Sequence, residues 1–228
     1  MVDPKKSETV VIAIDGPAAS GKSTVARGLA ARLGYRFLNS GDLYRAMTWA
    51  CLSRGIDCHD VGAVASAAGQ TCVEVGCDGN EYFPLIDDAD PRPHLRSEQV
   101  NANVSPVSAV PAVRYIVSAA IRAHAQGRQT VIEGRDIGSA VFAETPYKFY
   151  IDAPAHVRQR RRRNQGQNEE IARRDLIDST RKTDPLTIPP GATVIDSSTL
   201  DAAGVVAAML DKLRVQGLRC AIAACSKE

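Results

Sequence analysis

Residues 9–23 read Thr9-Val10-Val11-Ile12-Ala13-Ile14-Asp15-Gly16-Pro17-Ala18-Ala19-Ser20-Gly21-Lys22-Ser23. The β-branched apolar run at the start predicts a parallel strand that is buried on both faces. Residues Gly16 to Ser23 fit the pattern G-x-x-x-x-G-K-[ST] at every defined position. Apolar residues at every fourth position from Val25 to Leu33, followed by Gly34, predict a helix and its end. Strand, glycine loop and helix thus follow in the order of a phosphate-binding P-loop, which disfavours a chance match in an ordinary βα turn.

The P-loop motif predicts the chemistry of a nucleoside triphosphate site. Glycines let backbone N–H groups surround phosphate oxygens at a helix N-terminus, where the helix dipole adds positive potential. Lys22 is expected to reach the β- and γ-phosphates, and Ser23 is the expected side-chain ligand of Mg²⁺.

Alternating strands and helices continue along the chain and predict one α/β domain over residues 1–228. Short strands are expected at 37–38, 130–132, 149–151 and 193–195. Helices are expected at about 40–54, 110–127 and 200–218, and an arginine-rich helical stretch is expected from after the strand at 149–151 to Arg181. Residues 61–92 differ, because glycines separate short apolar pieces and predict a small antiparallel excursion. The architecture expected is a three-layer fold around a central parallel sheet with right-handed crossovers, and phosphates are expected at the carboxyl ends of its strands.

The composition excludes several classes of protein. The chain of 228 residues is 44% hydrophobic and only 5% aromatic, with a net charge of +2, so disorder and a nucleic-acid-binding role are disfavoured. Its apolar runs are too short for a bilayer helix, and its six cysteines form no C-x-x-C pair. We therefore expect a soluble, cytoplasmic protein with no nucleic-acid or membrane partner. The four histidines show no metal-ligand spacing and are interpreted as incidental.

Arginines beside strand ends and helix starts suggest a second anion site. They are Arg45, Arg135, Arg174 and Arg181. The planar guanidinium suits bidentate phosphate binding, so a protein that holds two phosphorylated molecules at once is expected, that is, a phosphotransferase. For each arginine alone, a solvated surface charge is the alternative.

The run from Arg158 to Arg163 has three interpretations: a solvated helix face, a nucleic-acid patch, or a mobile lid over the transferring phosphates. Five arginines repel one another unless anions offset them, which favours a polyanionic ligand. Its position after the strand at 149–151 favours the lid, since a closing lid stabilises phosphoryl charge and excludes water.

Three aspartates have two interpretations each. Asp15 directly follows the first strand and either influences Mg²⁺ or, as we favour, hydrogen-bonds the loop. Asp136 and Asp178 either accept hydrogen bonds from ribose hydroxyls or a base amino group, or form ion pairs with arginines inside the site.

Four ordered motifs resemble bacterial-type cytidylate kinase, a family of nucleoside monophosphate kinases. They occupy residues 14–24, 39–46, 133–138 and 174–181, which read IDGPAASGKST, NSGDLYRA, EGRDIG and RDLIDSTR. The resemblance covers most of the chain. It implies Mg²⁺-dependent transfer of the γ-phosphoryl group of ATP to CMP and dCMP by a P-loop kinase, here expected to be a monomer.

The resemblance also implies roles for individual residues. The ATP site comprises Gly16, Pro17, Ala18, Ala19, Ser20, Gly21, Lys22, Ser23 and Thr24. The CMP site comprises Ser40, Tyr44, Arg45, Ser105, Arg114, Gly134, Arg135, Asp136, Arg174, Asp178 and Arg181. The residues expected to act on the transferring phosphate are Lys22, Arg135, Arg158, Arg161, Arg162 and Arg181. Residues of about 157–170 correspond to a short lid and those of about 61–92 to an insert over the acceptor.

Within the CMP site, Ser105, Arg114 and Asp136 are implied to read the cytosine edge, where Asp136 accepts from the amino group. The chain departs from the family pattern at Glu133, where Asp is frequent, at Ser139, where Thr is common, and at Asp184, where a small residue is usual. A kinase for UMP or another small acceptor is the alternative within enzymes. A regulatory or RNA-binding P-loop module is the alternative outside them.

Overall fold

The computed structural model describes residues 8–164 and 171–218. Its strands are β1 (Val10–Asp15), β2 (Arg36–Asn39), β3 (Val73–Asp78), β4 (Glu81–Ile86), β5 (Gln129–Glu133), β6 (Lys148–Asp152) and β7 (Thr193–Asp196). Its α-helices are α1 (Lys22–Leu33), α2 (Ser40–Ser53), α3 (Val61–Gly69), α4 (Glu98–Ala109), α5 (Pro111–Ala125), α6 (Ala155–Asn164), α7 (Ile171–Thr180) and α8 (Ala202–Val215). A 3₁₀ turn lies at Arg92–His94 and a π turn at Ile137–Val141.

The seven strands form one sheet in the order β3-β4-β2-β5-β1-β6-β7. All neighbours from β4 to β7 pair in parallel, and only β3 runs antiparallel, against β4. The prediction of an α/β fold around a parallel sheet is therefore confirmed, with one antiparallel edge strand.

Alternation along β1 builds the two apolar layers. Ile12 and Ile14 face a cluster formed with α1 and α8, whereas Val11 and Ala13 face a second cluster formed with α2, α4 and α5. Because successive side chains of a strand point to opposite faces, a run that is apolar at every position requires helices on both sides of the sheet. This arrangement fixes the carboxyl end of β1, and with it the P-loop, in the middle of the sheet.

The segment 61–92 contains the expected hairpin, but the hairpin is not separate from the main sheet. Strand β4 pairs with β2, Phe37 opposite Glu81 and Leu38 opposite Tyr82, so the hairpin extends the sheet by two strands. The segment also begins with α3, which the glycine texture did not predict. The Asp60 side chain caps this helix by accepting from the N–H of Ala63 at 3.0 Å.

Other element boundaries differ modestly from prediction. The last helix is shorter than 200–218, because Asp201 caps it and accepts from the N–H of Gly204 at 2.8 Å. Helix α4 was not predicted at all. Within the described ranges no single helix is long and apolar enough to cross a membrane, although α4 and α5 pass that test together across a bend of 96°.

Candidate active site

The P-loop joins the carboxyl end of β1 to the start of α1. At Gly16 φ is +146°, and a Cβ placed there would lie 2.1 Å from the carbonyl oxygen of Ile151 on β6. Only glycine permits this close approach of two backbones. Gly21, at φ +93°, directly precedes α1. The loop geometry therefore depends on the two motif glycines, as the sequence predicted.

Lys22 is buried at the first turn of α1, 4% exposed, and donates to the carbonyl of Pro17 at 2.7 Å. Burial lowers the pKa of this amine, and the nearby Arg135 guanidinium lowers it further. A buried ammonium next to a guanidinium favours a bound anion. A phosphate there would offset both the loss of solvation at Lys22 and its repulsion by Arg135.

Two arginines of α6 hold the P-loop from outside. Arg158 donates to the carbonyl of Ala18 at 3.0 Å and pairs with Asp175 of α7, which itself accepts from the N–H of Ala18 at 3.1 Å. Arg161 donates to the carbonyl of Ser20 at 3.2 Å. The sequence predicted phosphate contacts for both residues, but Arg158 lies behind the loop, bound to protein groups, and lines neither of the two cavities described below.

The first cavity, of about 250 Å³, lies between the P-loop, α2, α4 and the ends of β5 and α7. We call it the acceptor cavity. Ten of the residues predicted to bind CMP line it: Ser40, Tyr44, Arg45, Ser105, Gly134, Arg135, Asp136, Arg174, Asp178 and Arg181. None of its lining residues lies within 61–92, the predicted insert, whereas Arg96 and residues of α4 line it.

Arg114 is the predicted CMP residue that does not line the acceptor cavity. Its side chain is 1% exposed and lies behind Asp136, with which it forms an ion pair. It also donates to the carbonyl of Ser108 at 3.2 Å and to the carboxylate of Asp184 at 2.9 Å. In this structure Arg114 therefore contacts the residue predicted to read the base and does not face the cavity itself.

Arginine and aspartate alternate around the wall of the acceptor cavity. Arg181 lies between Asp136, at 3.4 Å, and Asp178, at 3.7 Å, and Arg135 donates to Asp178 at 3.0 Å. Burial raises the pKa of Asp136 although Arg114 and Arg181 oppose it. For Asp178 burial acts in the same direction, but Arg135 and two further arginines outweigh it and lower the pKa. Both aspartates thus form the ion pairs of the second interpretation, and their contacts to a base or a ribose stay a prediction.

Arg45 is the strongest candidate for a phosphate contact on the α2 side. It is 8% exposed, and within the described part of the chain its Nε has no hydrogen-bond partner. Burial, with Arg174 and Arg96 close by, lowers its pKa to about 9. A buried guanidinium with an unused donor among other cations favours an anionic ligand.

The second cavity, of about 470 Å³, lies on the other side of the P-loop and is bordered by α6, Ser197 and the start of α8. We call it the donor cavity. All six P-loop residues from Ala19 to Thr24 border it, and Arg161 and Arg162 line it as well. Ala19, Lys22, Ser23 and Arg162 line both cavities. The two cavities therefore meet at the lysine and serine of the motif.

The oxygen atoms at this junction fit Mg²⁺. Ser23 donates its hydroxyl proton to Glu133 at 2.5 Å, so a hydroxyl and a carboxylate from two elements stand together at the cavity edge. Hard oxygen donors of this kind are what Mg²⁺ prefers, and its remaining ligands are usually water and phosphate. The described residues contain no cluster of three or more His, Cys, Asp or Glu that forms a separate metal centre.

Asp15 holds a different loop from the one predicted. Both of its oxygens accept backbone N–H groups of the turn after β5, from Ile137 at 2.8 Å and from Gly138 at 2.7 Å. Asp15 is fully buried, and burial raises its pKa to about 7. The hydrogen-bonding interpretation is confirmed, but it acts on the turn that follows Arg135 and Asp136 rather than on the P-loop.

Sequence reasoning missed four residues that shape the site. Ser197 lies 2.8 Å from the carbonyl of Ser20 and accepts from Arg161, and Arg96 pairs with Asp42 at 2.7 Å on the wall of the acceptor cavity. Asp175 and Glu133 contact the P-loop as described above. Ser197 follows the end of β7, Arg96 lies two positions before α4, and Glu133 is the last residue of β5. Asp175 lies inside α7 and carries no such signal. Residues 165–170, part of the predicted lid, lie outside the described residues.

A P-loop at the carboxyl edge of a parallel sheet, with a cavity on each side, defines the class of P-loop phosphotransferases. A family model described as "Cytidylate kinase" matches residues 12–215. The "Cytidylate kinase" of Mycobacterium avium (strain 104) is 40% identical over 222 residues, which cover 91% of this chain and 96% of that protein. The "Cytidylate kinase" of Geobacillus kaustophilus (strain HTA426) is 38% identical over 213 residues, covering 89% and 95%. The chain belongs to the cytidylate kinase family.

A solved structure, that of the Deinococcus radiodurans tunicamycin resistance protein, is similar at a TM-score of 0.48 with 16% identity. The match covers 90% of this chain and 96% of the chain in that structure.

Proposed function

We propose that this protein transfers the γ-phosphoryl group of ATP to CMP and dCMP, with Mg²⁺, and gives the corresponding diphosphates. The single observation that supports this most strongly is the meeting of two cavities at Lys22 and Ser23. A triphosphate in the donor cavity and a monophosphate in the acceptor cavity would bring their phosphates together at these residues. Membership of the cytidylate kinase family supports the choice of acceptor.

The reaction needs no covalent enzyme intermediate. An oxygen of the acceptor phosphate forms a bond to the γ-phosphorus while the bond to the β,γ-bridging oxygen breaks, and ADP leaves with that electron pair. The acceptor phosphate is already a nucleophile, so catalysis rests on in-line positioning and on neutralising charge. We assign Lys22 and Arg162 to the transferring group because they line both cavities. Arg45, Arg135 and Arg181, which line the acceptor cavity, are assigned to the acceptor phosphate.

Magnesium, when bound, would supply neutralisation of the phosphate charge. In this chain Ser23 would be its side-chain ligand. Glu133 accepts a hydrogen bond from the Ser23 hydroxyl, so the lone pairs of that hydroxyl stay available to a metal.

Recognition of cytosine is assigned to Asp136 and Ser105. Asp136 can accept from the exocyclic amino group of cytosine, and the Ser105 hydroxyl can donate to a ring acceptor. Uracil carries a carbonyl where cytosine carries the amino group, so a carboxylate there disfavours UMP. Arg114 and Arg181 already contact Asp136. For the base to bind, one hydrogen-bond acceptor position of the Asp136 carboxylate must therefore be available to it.

We further propose that the protein works as a monomer in the cytoplasm, on small molecules alone, without a nucleic acid or membrane. Cys51, Cys58, Cys72 and Cys77 are free thiols, which fits a reducing compartment. The net charge of +2 gives little general attraction for a polynucleotide backbone.

Replacing Lys22 by alanine tests the proposed mechanism. The purified variant, with ATP, Mg²⁺ and CMP, is expected to lose about 10²–10³-fold in kcat, because one preorganised cation at the transferring group is removed. Formation of CDP is followed directly, and the melting temperature checks that the variant is folded. Lys212→Ala, at an exposed position of α8, is the matched control and should turn over normally. Turnover by the folded Lys22 variant close to that of the unchanged protein would contradict the mechanism.

A further inference from the structure

Asp184 contacts both arginines that flank Asp136, although it does not itself line the acceptor cavity. Its carboxylate accepts from Nε of Arg114 at 2.9 Å, and its backbone carbonyl accepts from Nε of Arg181 at 2.7 Å. Arg114 and Arg181 in turn approach the two different oxygens of Asp136. Asp184 thus holds the Nε atoms of Arg114 and Arg181. The terminal nitrogens of both arginines face Asp136, the carboxylate assigned to the base.

The backbone of Asp184 is built for this double contact. Its φ is +46°, in the left-handed region that non-glycine residues seldom adopt and that aspartate tolerates better than most. The chain turns back immediately afterwards, because the N–H of Leu186 donates to the carbonyl of Asp178 at 2.7 Å. This turn brings the carbonyl and the side chain of the same residue to the arginine cluster.

Asp184 supplies a third carboxylate to the cluster. Arg114, Arg135 and Arg181 face Asp136, Asp178 and Asp184, and each of the three cations lies within 3.7 Å of at least one of these carboxylates. Arg114 is 1% exposed, so removal of the Asp184 carboxylate would leave a buried Nε–H without its acceptor and would leave Asp136 as the sole anion on this guanidinium. Arg114 would then bind Asp136 more tightly and compete with the ligand for its oxygens.

We propose that Asp184 is a positioning residue for base recognition: by holding Arg114 from behind, it keeps the Asp136 carboxylate available to a cytosine amino group and so sets the preference for cytidine over uridine monophosphates. This inference rests on the proposed function of the acceptor cavity. It deepens that function by assigning part of its specificity to a residue outside the cavity wall.

Asp184→Gly is the decisive variant, because glycine accepts the positive φ and keeps the carbonyl bond to Arg181 while it removes the carboxylate. The KM for CMP should rise about tenfold with kcat within about twofold, and the ratio of kcat/KM for CMP to that for UMP should fall about tenfold. Asp184→Asn keeps an oxygen acceptor for Nε and should recover most of the preference, to within about threefold. Asp211→Asn, at an exposed position of α8 that lines neither cavity, is the control for the asparagine substitution and should change neither value.

Calorimetric binding of CMP and UMP without ATP gives a second readout that does not depend on transfer. If the unchanged protein binds CMP in preference to UMP but produces no CDP, the proposed function fails and the inference is still tested by the binding ratio of Asp184→Gly. A variant that lowers the melting temperature while the CMP-to-UMP ratio stays constant would show that Asp184 is merely structural. A uniform fall in kcat for all acceptors would also overturn the proposal.

Discussion

Replacing Asp15 by asparagine is expected to stabilise the fold, by an amount that grows with pH. Asp15 is fully buried at the end of β1 and accepts two N–H groups of the turn at Ile137 and Gly138. Desolvation raises the pKa of its carboxyl from an ordinary 3.8 to about 7, and these two hydrogen bonds only partly oppose the rise. The native fold therefore favours the neutral acid below about pH 7.

The sign and size of the effect follow from linkage. A carboxyl with a raised pKa in the folded state contributes stability that is fully present below about pH 3.8 and is lost as the pH rises through about 7. At 1.36 kcal/mol for each pKa unit, the loss for Asp15 is about 1.5 kcal/mol at pH 5 and about 4 kcal/mol at pH 8. Asparagine has nearly the same size and no titration, so it avoids this loss. Like the protonated acid, asparagine leaves one of the two N–H groups, of Ile137 or Gly138, without a good acceptor. This loss of stability does not vary with pH.

The assay is urea unfolding of the unchanged protein and the Asp15→Asn variant at pH 5 and pH 8, because other titrating groups cancel in the difference between them. The control is Asp211→Asn, whose side chain is 73% exposed and which should change stability by less than about 0.5 kcal/mol at both values. A difference for Asp15→Asn that is equal at the two pH values, or a loss of stability at pH 8, would refute the reasoning.

Two further variants test the P-loop. Gly16→Ala should lower the free energy of unfolding by more than about 4 kcal/mol, since its Cβ would meet the Ile151 carbonyl oxygen at 2.1 Å. Gly34→Ala, at φ +68° with open space around it, should lower it by only about 1 kcal/mol. Equal losses in urea unfolding would disprove the argument from close approach. Arg161→Ala should raise the KM for ATP about tenfold and leave the KM for CMP within about twofold. The reason is that Arg161 lines the donor cavity but not the acceptor cavity, and donates to the P-loop at Ser20. A parallel rise in both KM values in initial-rate kinetics would count against separate cavities.

The sheet and the P-loop were predictable because their signals are local and redundant. The apolar run before Gly16 is buried on both faces, and the strands at 130–132 and 149–151 show the same texture and pair directly with β1. Each signal lies within about ten residues and is supported by the turn residues that follow it. The arginines and aspartates of the acceptor cavity could also be placed, because each follows a strand end or lies in a recognisable helix.

Helix α4 was missed for a physical reason. Helix α4 contains Pro106, which normally ends a helix, and its remaining residues are largely small or polar. Its start was nevertheless marked, because Ser97 caps it by accepting from the N–H of Val100 at 3.3 Å. Tertiary packing against α2 overrides the weak local preference, and a single sequence does not display that packing.

The direction of long side chains was the other failure. The sequence predicted that Arg158, Arg161 and Arg162 act on the transferring phosphate. Arg158 instead turns to the Ala18 carbonyl and Asp175, whereas Arg162 lines both cavities. Successive side chains of a helix are rotated by about 100° about the helix axis. Neighbouring arginines of one helix therefore reach different partners. Which of them is buried depends on contacts about 140 residues away along the chain, as between Arg158 and Ala18.

The most direct test of the proposed function is ADP release from ATP and Mg²⁺ in a coupled assay, run separately with CMP, dCMP, UMP, AMP and GMP and without acceptor. The two cavities meeting at Lys22, with Asp136 on the wall of one of them, predict turnover confined largely to CMP and dCMP. Equal rates with UMP and CMP would remove Asp136 from base recognition and point to a kinase of broader acceptor range. Release of ADP that is indifferent to any acceptor would contradict the phosphotransferase assignment and favour a regulatory P-loop protein.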